Sequence, residues 1–359
     1  DDELRAAEIA REVLGEGIHI SISSEIGSMG ILERENATIL NAMLNEVAKR
    51  FTDGFAQSLV DKGVVNAEVY LSQNDGTLMT MAHARQYPIL TIACGPTNSI
   101  RGASYLSGMS DAVVIDVGGT TTDLGVLSAG FPRESGVAVT IGGGRTNFRM
   151  PDVVSIGLGG GSIVRKREDG TVTVGPDSVG YRITEHALVF GGETMTATDI
   201  AVRLGMAKVG DPEKVAGIDE QFARQALDAM RSMVEEAIDM MKVSSDDIDA
   251  VLVGGGSIIL PTDLAGTAHV GKPEHSGCAN AIGSAISKVS GTYEALVDYD
   301  TVPRDQALAH ARQAAIEAAV AAGAVRETVE IVDVEDVPLQ YYPGRTNRVK
   351  VKAAGDLSE

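Results

Sequence analysis

Two carboxylates, Asp116 and Asp123, bracket the run Val-Gly-Gly-Thr-Thr-Thr. An apolar strand that ends in aspartate and turns back through Gly118, Gly119, Thr120 and Thr121 presents backbone amides with little side chain in the way, the shape an anion requires. Carboxylates repel phosphate, so their natural partner in such a loop is Mg²⁺, held through oxygen and water at the β- and γ-phosphates of a nucleotide. The same residues also suit a plain tight turn, because Gly and Asp are ordinary turn residues. A second strand-to-glycine junction lies downstream at Gly254, Gly255, Gly256 and Ser257, with bare backbone on which an adenine or ribose can rest. Neither loop is GxxxxGK[ST] or GxGxxG, which excludes the P-loop and Rossmann readings.

Other residues carry two readings each. Arg145 and Arg149, near the IGGGR run at 141–145, either grip a substrate carboxylate or carbonyl or are surface arginines. LGGGS at 158–162 either lines a cleft or is a structural turn. His275 and His269 read as ordinary polar residues, since no CxxC or HExxH pattern accompanies them. Cys94 follows an apolar run and reads as a small buried residue, not a nucleophile. Asp199 is an N-cap or a cleft residue.

These residues need elements to hold them. DAVVIDVGGTTTDLGVL at 111–127 reads as a β-hairpin, and AVLVGGGSIILP at 250–261 as a strand, a glycine turn and a helix start. Short strands fill 153–190, and helical periodicity marks 194–206 and 217–242, where the stripe running from Phe222 through Met230, Val234 and Ile238 to Met241 is packing. In the first part of the chain, 19–26 reads as a strand. A long amphipathic helix begins at Glu33, its stripe of Ile39, Leu40, Met43, Leu44, Val47, Phe51, Phe55 and Leu59 assigned to the core. Strands at 67–73 and 88–94, a turn at Asn74, Asp75 and Gly76, and a helix after Pro96 follow. An Ala-rich helix spans 305–322, then two strands at 329–339 and 347–355 flank a turn at Pro343 and Gly344.

The chain has 359 residues, 44% hydrophobic and 22% charged, which suits two α/β domains with buried cores. Its formal charge of −20 argues against nucleic acid and anionic membrane surfaces as partners. Two cysteines are too few for a disulfide framework and fit a cytoplasmic protein. The absence of an initiator Met at Asp1 leads us to expect a trimmed chain or fragment.

VIDVGGTTTDLGVL resembles the phosphate hairpin of the actin, Hsp70 and sugar-kinase superfamily, and DAVLVGGGSIILP resembles its adenosine motif, in the same order. Within that group, ILTIACGPTNSIRGASYL, FPR at 131–133, DVVSIGLGGGSIV at 152–164, TATD at 196–199 and PEHSGCANAIGSAI at 273–286 are similar to the hydantoinase/oxoprolinase A family, over about residues 18–355. This family includes ATP-dependent hydantoinase subunits, 5-oxoprolinase and acetone carboxylase beta subunits. The resemblance implies an actin-like ATPase, or ribonuclease H-like, two-domain fold. It implies ATP and Mg²⁺, with Asp116 holding the metal through water, Asp123 ordering water or metal, and Gly118 to Thr121 on the phosphates. Gly254, Gly255, Gly256 and Ser257 would lie against the nucleoside. Ala279, Asn280, Ala281, Gly283 and Ala285, with Gly95, Pro96, Gly102 and Ala103, resemble the small-residue helices of the hinge.

The activity implied is phosphorylation of a cyclic amide carbonyl, as in a hydantoin, 5-oxoproline or lactam, with a B-type hydrolase subunit as partner in an oligomer. Three alternatives remain: an acetone-carboxylase-type subunit, a small-molecule kinase, and a nucleotide-switched actin-like protein without catalysis. Residues 1–110 would be the remainder of the first domain, 111–300 the second domain and 301–359 a C-terminal extension. Family members carry a further N-terminal region with its own DxGGT-type loop, so the chain alone is expected to bind ATP weakly and turn it over poorly.

Overall fold

The computed structural model describes all residues except 1, 16, 28–29, 136–138, 149, 340–343 and 359. Contacts divide the chain into two compact units, Asp1–Cys94 with Gly136–Met150 and Ser287–Glu359, and Gly95–Ser135 with Pro151–Ile286. Each unit is discontinuous in sequence. The reason is pairing. Strand Lys288–Asp298 joins Thr346–Gly355 along its whole length, while the helix ending at Ser107 packs on the strands that follow it.

In the second unit, strands β1 (Ala112–Val117), β2 (Thr122–Ser128), β3 (Phe131–Pro132), β4 (Val153–Ile156), β7 (Ile248–Val253) and β8 (Thr267–Gly271) form one sheet. β5 (Ser162–Lys166) and β6 (Val172–Ser178) form a separate antiparallel pair. The main path runs β8–β7–β1–β2, with β4 and β3 both on β2. β7 is parallel to β1 and β8, whereas β2 is antiparallel to β1 and β4. This is the ribonuclease H-like arrangement expected from the resemblance.

Helices cover both faces, which explains why β1 is apolar at nearly every position. On one face, Val113, Ile115 and Leu124 pack with Ile200 of α2 (Ala197–Arg203) and with Met230 and Ile238 of α3 (Glu220–Met241). The methionine stripe is core, with Met230 and Met241 buried. On the other face, Val114, Leu127 and Val253 meet Ile100 of α1 (Cys94–Ser107) and Ala279 of α4 (Ala279–Ala285).

The first unit is built on a five-stranded sheet in the order Tyr70–Ser72, Thr77–Thr80, Lys288–Asp298, Thr346–Gly355, Glu330–Pro338. The Ala-rich helix Arg304–Ala321 lays Ala311, Ala315 and Ala319 on it. Lys352 reaches across to Asp75 at 2.6 Å, and both side chains are largely buried.

Three expectations for this unit are corrected. Residues 19–26 form no strand; Ser23–Ile26 is a short helix. The apolar run at 88–94 is a 3₁₀ turn over Pro88–Thr91, because Asn41 Oδ1 accepts the Ile89 amide and leaves no ladder to join. The long helix exists as Leu32–Asp61, but Ile39, Met43, Val47, Phe51 and Phe55 are 40–71% exposed. Its inward face carries Ala37, Asn41 and Thr52, and of the expected stripe Leu40 and Leu44 are half-buried against the cluster of Ala37, Ile89 and Phe148. Asn41 donates to the Gln86 carbonyl at 3.0 Å and Thr52 accepts from Arg85 at 2.8 Å, so unsatisfied polar groups on 85–89 decide which side turns in. The proposed turn residue Pro343 and the candidate Arg149 lie outside the described residues.

Candidate functional site

Antiparallel pairing sets Asp116 directly opposite Asp123, and Asp123 opposite Ser155 of β4. Directly opposed residues project from one face, so two carboxylates and a hydroxyl stand in a row across three strands. The Ser155 hydroxyl donates to Asp123. Burial pushes the Asp116 carboxyl above its usual range, a Ser99 hydroxyl bond opposes this, and the Asp123 charge adds to the rise. Among the described residues, no Lys, Arg or His pairs with either aspartate.

Beyond this row the chain turns. The Gly118 amide closes the turn on the Thr121 carbonyl at 2.8 Å. Gly119, Thr120 and Thr121 are exposed, and among the described residues their amides donate to no protein group. A Cβ on Gly119 would meet nothing within 4 Å. Three successive free amides at an open tip form a concave donor surface.

Two further glycine loops close on this tip through the main chain. Gly160 N donates to Gly118 O at 3.0 Å and Gly161 N to Gly119 O at 2.7 Å, while the Thr122 hydroxyl donates to Leu158 O at 2.7 Å. A side chain on Gly159 would press on the Thr120 amide nitrogen at 2.5 Å. The LGGGS run is therefore a structural partner of the hairpin. From the other side, Gly254, at φ +88°, lies against Val117 O and Asp116 Oδ1, and Gly256 lies against Gly118 O, with no room for a Cβ at either. Gly255 faces open space. The segment Gly255–Ile259 is a 3₁₀ turn in place of the expected helix start, with Ser257 buried. Lys272 Nζ donates to Ser257 O at 3.2 Å, and Gly254 N donates to Ser276 O at 3.0 Å.

The remaining candidates fall elsewhere. Asp199 is fully buried and accepts from Leu188 N, Val189 N, Thr196 N and the Thr196 hydroxyl, which makes it a helix-capping residue for α2. Its neighbour Thr198 bonds Gly160 O through both amide and hydroxyl, so α2 holds the LGGGS loop. Arg145 belongs to the first unit, 3.9 Å from Glu33, with its side chain 67% exposed. His275 is exposed in a left-handed turn at φ +63°, and His269 is exposed on β8. Cys94 is half-buried at the start of α1, so it is less enclosed than its apolar flank predicts.

The small-residue helices α1 and α4 both lie in the second unit and cross at glycine. Gly102 abuts the Ala279 carbonyl and Gly283 abuts the Asn98 carbonyl, with no space for a side chain at either. Sequence reasoning missed Ser155, whose hydroxyl donates to Asp123. It had one usable signal, its alternation with Val154 and Ile156 on a strand.

Residues 34–210 match the family profile described as hydantoinase/oxoprolinase. This region belongs to the hydantoinase/oxoprolinase family. An uncharacterized protein of Methanocaldococcus jannaschii is 27% identical over 225 residues, covering 58% of this chain and 32% of that protein. Caprolactamase subunit alpha of Pseudomonas jessenii is 26% identical over 211 residues, covering 57% of this chain and 29% of that protein. The match therefore spans about a third of the length of these curated relatives. Among solved structures, ATP-dependent caprolactamase of Pseudomonas jessenii aligns with a TM-score of 0.72 at 16% identity, over 99% of this chain and 63% of that one. Nucleotide-free acetone carboxylase aligns with a TM-score of 0.67 at 17% identity, over 100% of this chain and 62% of that one. The chain shares their fold, the actin-like architecture that the hydantoinase/oxoprolinase resemblance implies. Among the described residues, no helix is long and apolar enough to cross a membrane.

Proposed function

We propose that the second unit binds the phosphates of ATP at the junction of its three glycine loops. In this reading the chain is the nucleotide-handling part of an ATP-dependent enzyme that phosphorylates the carbonyl oxygen of a cyclic amide. The observation that carries it is the run of unpartnered amides at Gly119, Thr120 and Thr121 beside two aspartates that no protein cation neutralises. Fixed amide donors stabilise an anion without reorganising, so they are worth more than water at the same place. Gly254, Gly255, Gly256 and Ser257 would seat the nucleoside.

Asp116 and Asp123 fit a divalent cation, since like charges this close need one and none comes from the protein. Among the described residues no three His, Cys, Asp or Glu side chains cluster as a closed metal site, which suits an ion completed by phosphate oxygens and water. When bound, Mg²⁺ would offset charge on the transferring phosphoryl group.

The substrate class follows from chemistry and kinship. An amide carbonyl oxygen attacks the terminal phosphorus, a new O–P bond forms, the bond to the bridging oxygen breaks and ADP leaves. Water adds to the carbon of the resulting imidate phosphate, the C–N bond of the tetrahedral intermediate breaks as the nitrogen takes up a proton, and the acyl phosphate of the opened ring is hydrolysed to carboxylate and inorganic phosphate. Similarity to a caprolactamase subunit and to acetone carboxylase supports a lactam or hydantoin, with activation of a ketone enolate or bicarbonate as the second reading. A partner hydrolase subunit and a cytoplasmic setting belong to the same proposal. ATPase assayed on the intact protein with its partner, against hydantoins, 5-oxoproline, lactams and small ketones, tests it. Stimulation by a cyclic amide supports the hydrolase reading, stimulation by ketones the carboxylase reading, and stimulation only by an alcohol or carboxylic acid would replace both with a kinase.

A further inference from the structure

A short turn borders the open tip of the hairpin. β6 ends at Ser178, and Gly180–Arg182 follows as a single 3₁₀ turn. Three bonds fix its start to the glycine loops. Val179 N donates to Gly161 O at 3.0 Å, and the Ser178 hydroxyl donates to Gly119 O at 3.3 Å while accepting the Gly180 amide at 3.0 Å. A Cβ on Gly180 would lie 3.9 Å from Thr120 Oγ1, so the turn stands within van der Waals reach of the tip.

The next two residues, Tyr181 and Arg182, are exposed, Tyr181 at 87%. A tyrosine so placed gains little from burial, and what it does instead is order the arginine. Arg182 Nε donates to the Tyr181 hydroxyl at 3.2 Å, and the guanidinium carbon lies 5.6 Å from the ring centroid. A guanidinium carries five N–H donors, and this bond uses the one on Nε. Among the described residues, the four on the terminal nitrogens bond no protein acceptor and no carboxylate pairs with Arg182, although acids outnumber bases 50 to 30 in the chain. That free edge is the one a phosphate engages in bidentate fashion.

We propose that Arg182 contacts the terminal phosphate of a nucleoside triphosphate seated on the hairpin tip, with Tyr181 as its positioning residue. The inference rests on the nucleotide reading above and deepens it. Gly254 and Gly256 abut Val117 O and Gly118 O, before the tip, whereas Gly180 adjoins Thr120, beyond it. A nucleotide with its nucleoside at Gly254 to Ser257 therefore directs the end of its phosphate chain toward Gly180 and the two residues after it. The amides of Gly119 to Thr121 serve diphosphate and triphosphate alike, while the guanidinium adds a charge that only the last phosphate meets.

Binding of ADP and of the non-hydrolysable ATP analogue AMP-PNP, each with Mg²⁺, is measured by calorimetry on the intact protein for wild type, Arg182→Ala, Tyr181→Phe and the double variant. Arg182→Ala is expected to bind AMP-PNP about tenfold more weakly, the size of a hydrogen bond to a charged group, and ADP as wild type does. Tyr181→Phe keeps the ring and loses only the hydroxyl. It is expected to lose about threefold for AMP-PNP alone, and nothing further once Arg182 is gone, because it acts through the guanidinium. Both side chains are exposed, so neither substitution endangers the fold. Equal losses for the two nucleotides, or wild-type AMP-PNP affinity in Arg182→Ala, would overturn the assignment and leave the nucleotide reading standing. Failure of wild type to bind either nucleotide would remove that reading, and the role of Arg182 with it.

Discussion

Asp116 and Asp123 oppose each other across neighbouring strands, on one face and without a cation between them. Such a pair stores repulsion that a bound divalent ion relieves. Replacing either with Asn removes one charge from a site that needs it. Asp116→Asn and Asp123→Asn should each lower metal-dependent ATP turnover of the intact protein by roughly 10²–10³-fold, by analogy with loss of one preorganised group. Steady-state ATPase at saturating Mg²⁺ measures this. Thermal unfolding of the apo variants should show no loss of stability, and unchanged turnover would move the metal site elsewhere.

The glycines of the three loops differ in what surrounds them, and substitutions should sort accordingly. Gly256 lies against Gly118 O, whereas Gly255 has nothing within 4 Å. Gly256→Ala should destabilise by about 1–3 kcal/mol, the usual cost of overpacking, and Gly255→Ala should leave the melting temperature unchanged. Calorimetric melts of both variants, read together, check the loop packing.

Asp75 and Lys352 provide a pH-dependent test of the first unit. Burial pushes the Asp75 carboxyl up, but the Lys352 ammonium and the Thr77 donors outweigh it and hold the group below its usual range. A folded pKa below the unfolded one means this stabilisation is present above about pH 4 and fades as pH falls through the lower folded value. Asp75→Asn should cost about 3–5 kcal/mol at neutral pH, because Lys352 is left buried without its counter-charge. Urea unfolding at pH 7 and at descending acid pH should show the gap between wild type and variant narrowing; a constant gap would contradict the assignment.

Asp199 should prove structural. Four donors converge on its buried carboxylate, so Asp199→Ala strands them and should cost about 2–3 kcal/mol or more. Below its melting temperature the variant should bind AMP-PNP as wild type does. A selective loss of nucleotide affinity without a change in stability would make it a site residue.

What the sequence disclosed follows from periodicity. The hairpin at 112–128 and the helix Glu220–Met241 are plain because β-branched runs and a three-to-four residue stripe have no competing reading. The run at 88–94 failed for the same reason in reverse: seven apolar-rich residues fit a strand or a turn equally, and the Asn41 bond to Ile89 decided it. The helix Leu32–Asp61 shows a further limit. Periodicity locates an apolar side but not its direction, and here the polar needs of 85–89 took the inner face. The glycine loops were visible singly, yet their convergence depends on contacts such as Gly160 to Gly118 that leave no mark along the chain.

Apart from the Thr122 hydroxyl on Leu158 O, the meeting of LGGGS with the hairpin is made of peptide groups, Gly160 to Gly118 and Gly161 to Gly119. Trimming side chains one at a time would therefore pass over this junction, since there is almost nothing to trim. Its vulnerability is to added bulk or to a missing N–H. A scan that installs methyl groups, or exchanges single amides for esters, would draw the outline of the junction that a conventional scan leaves blank.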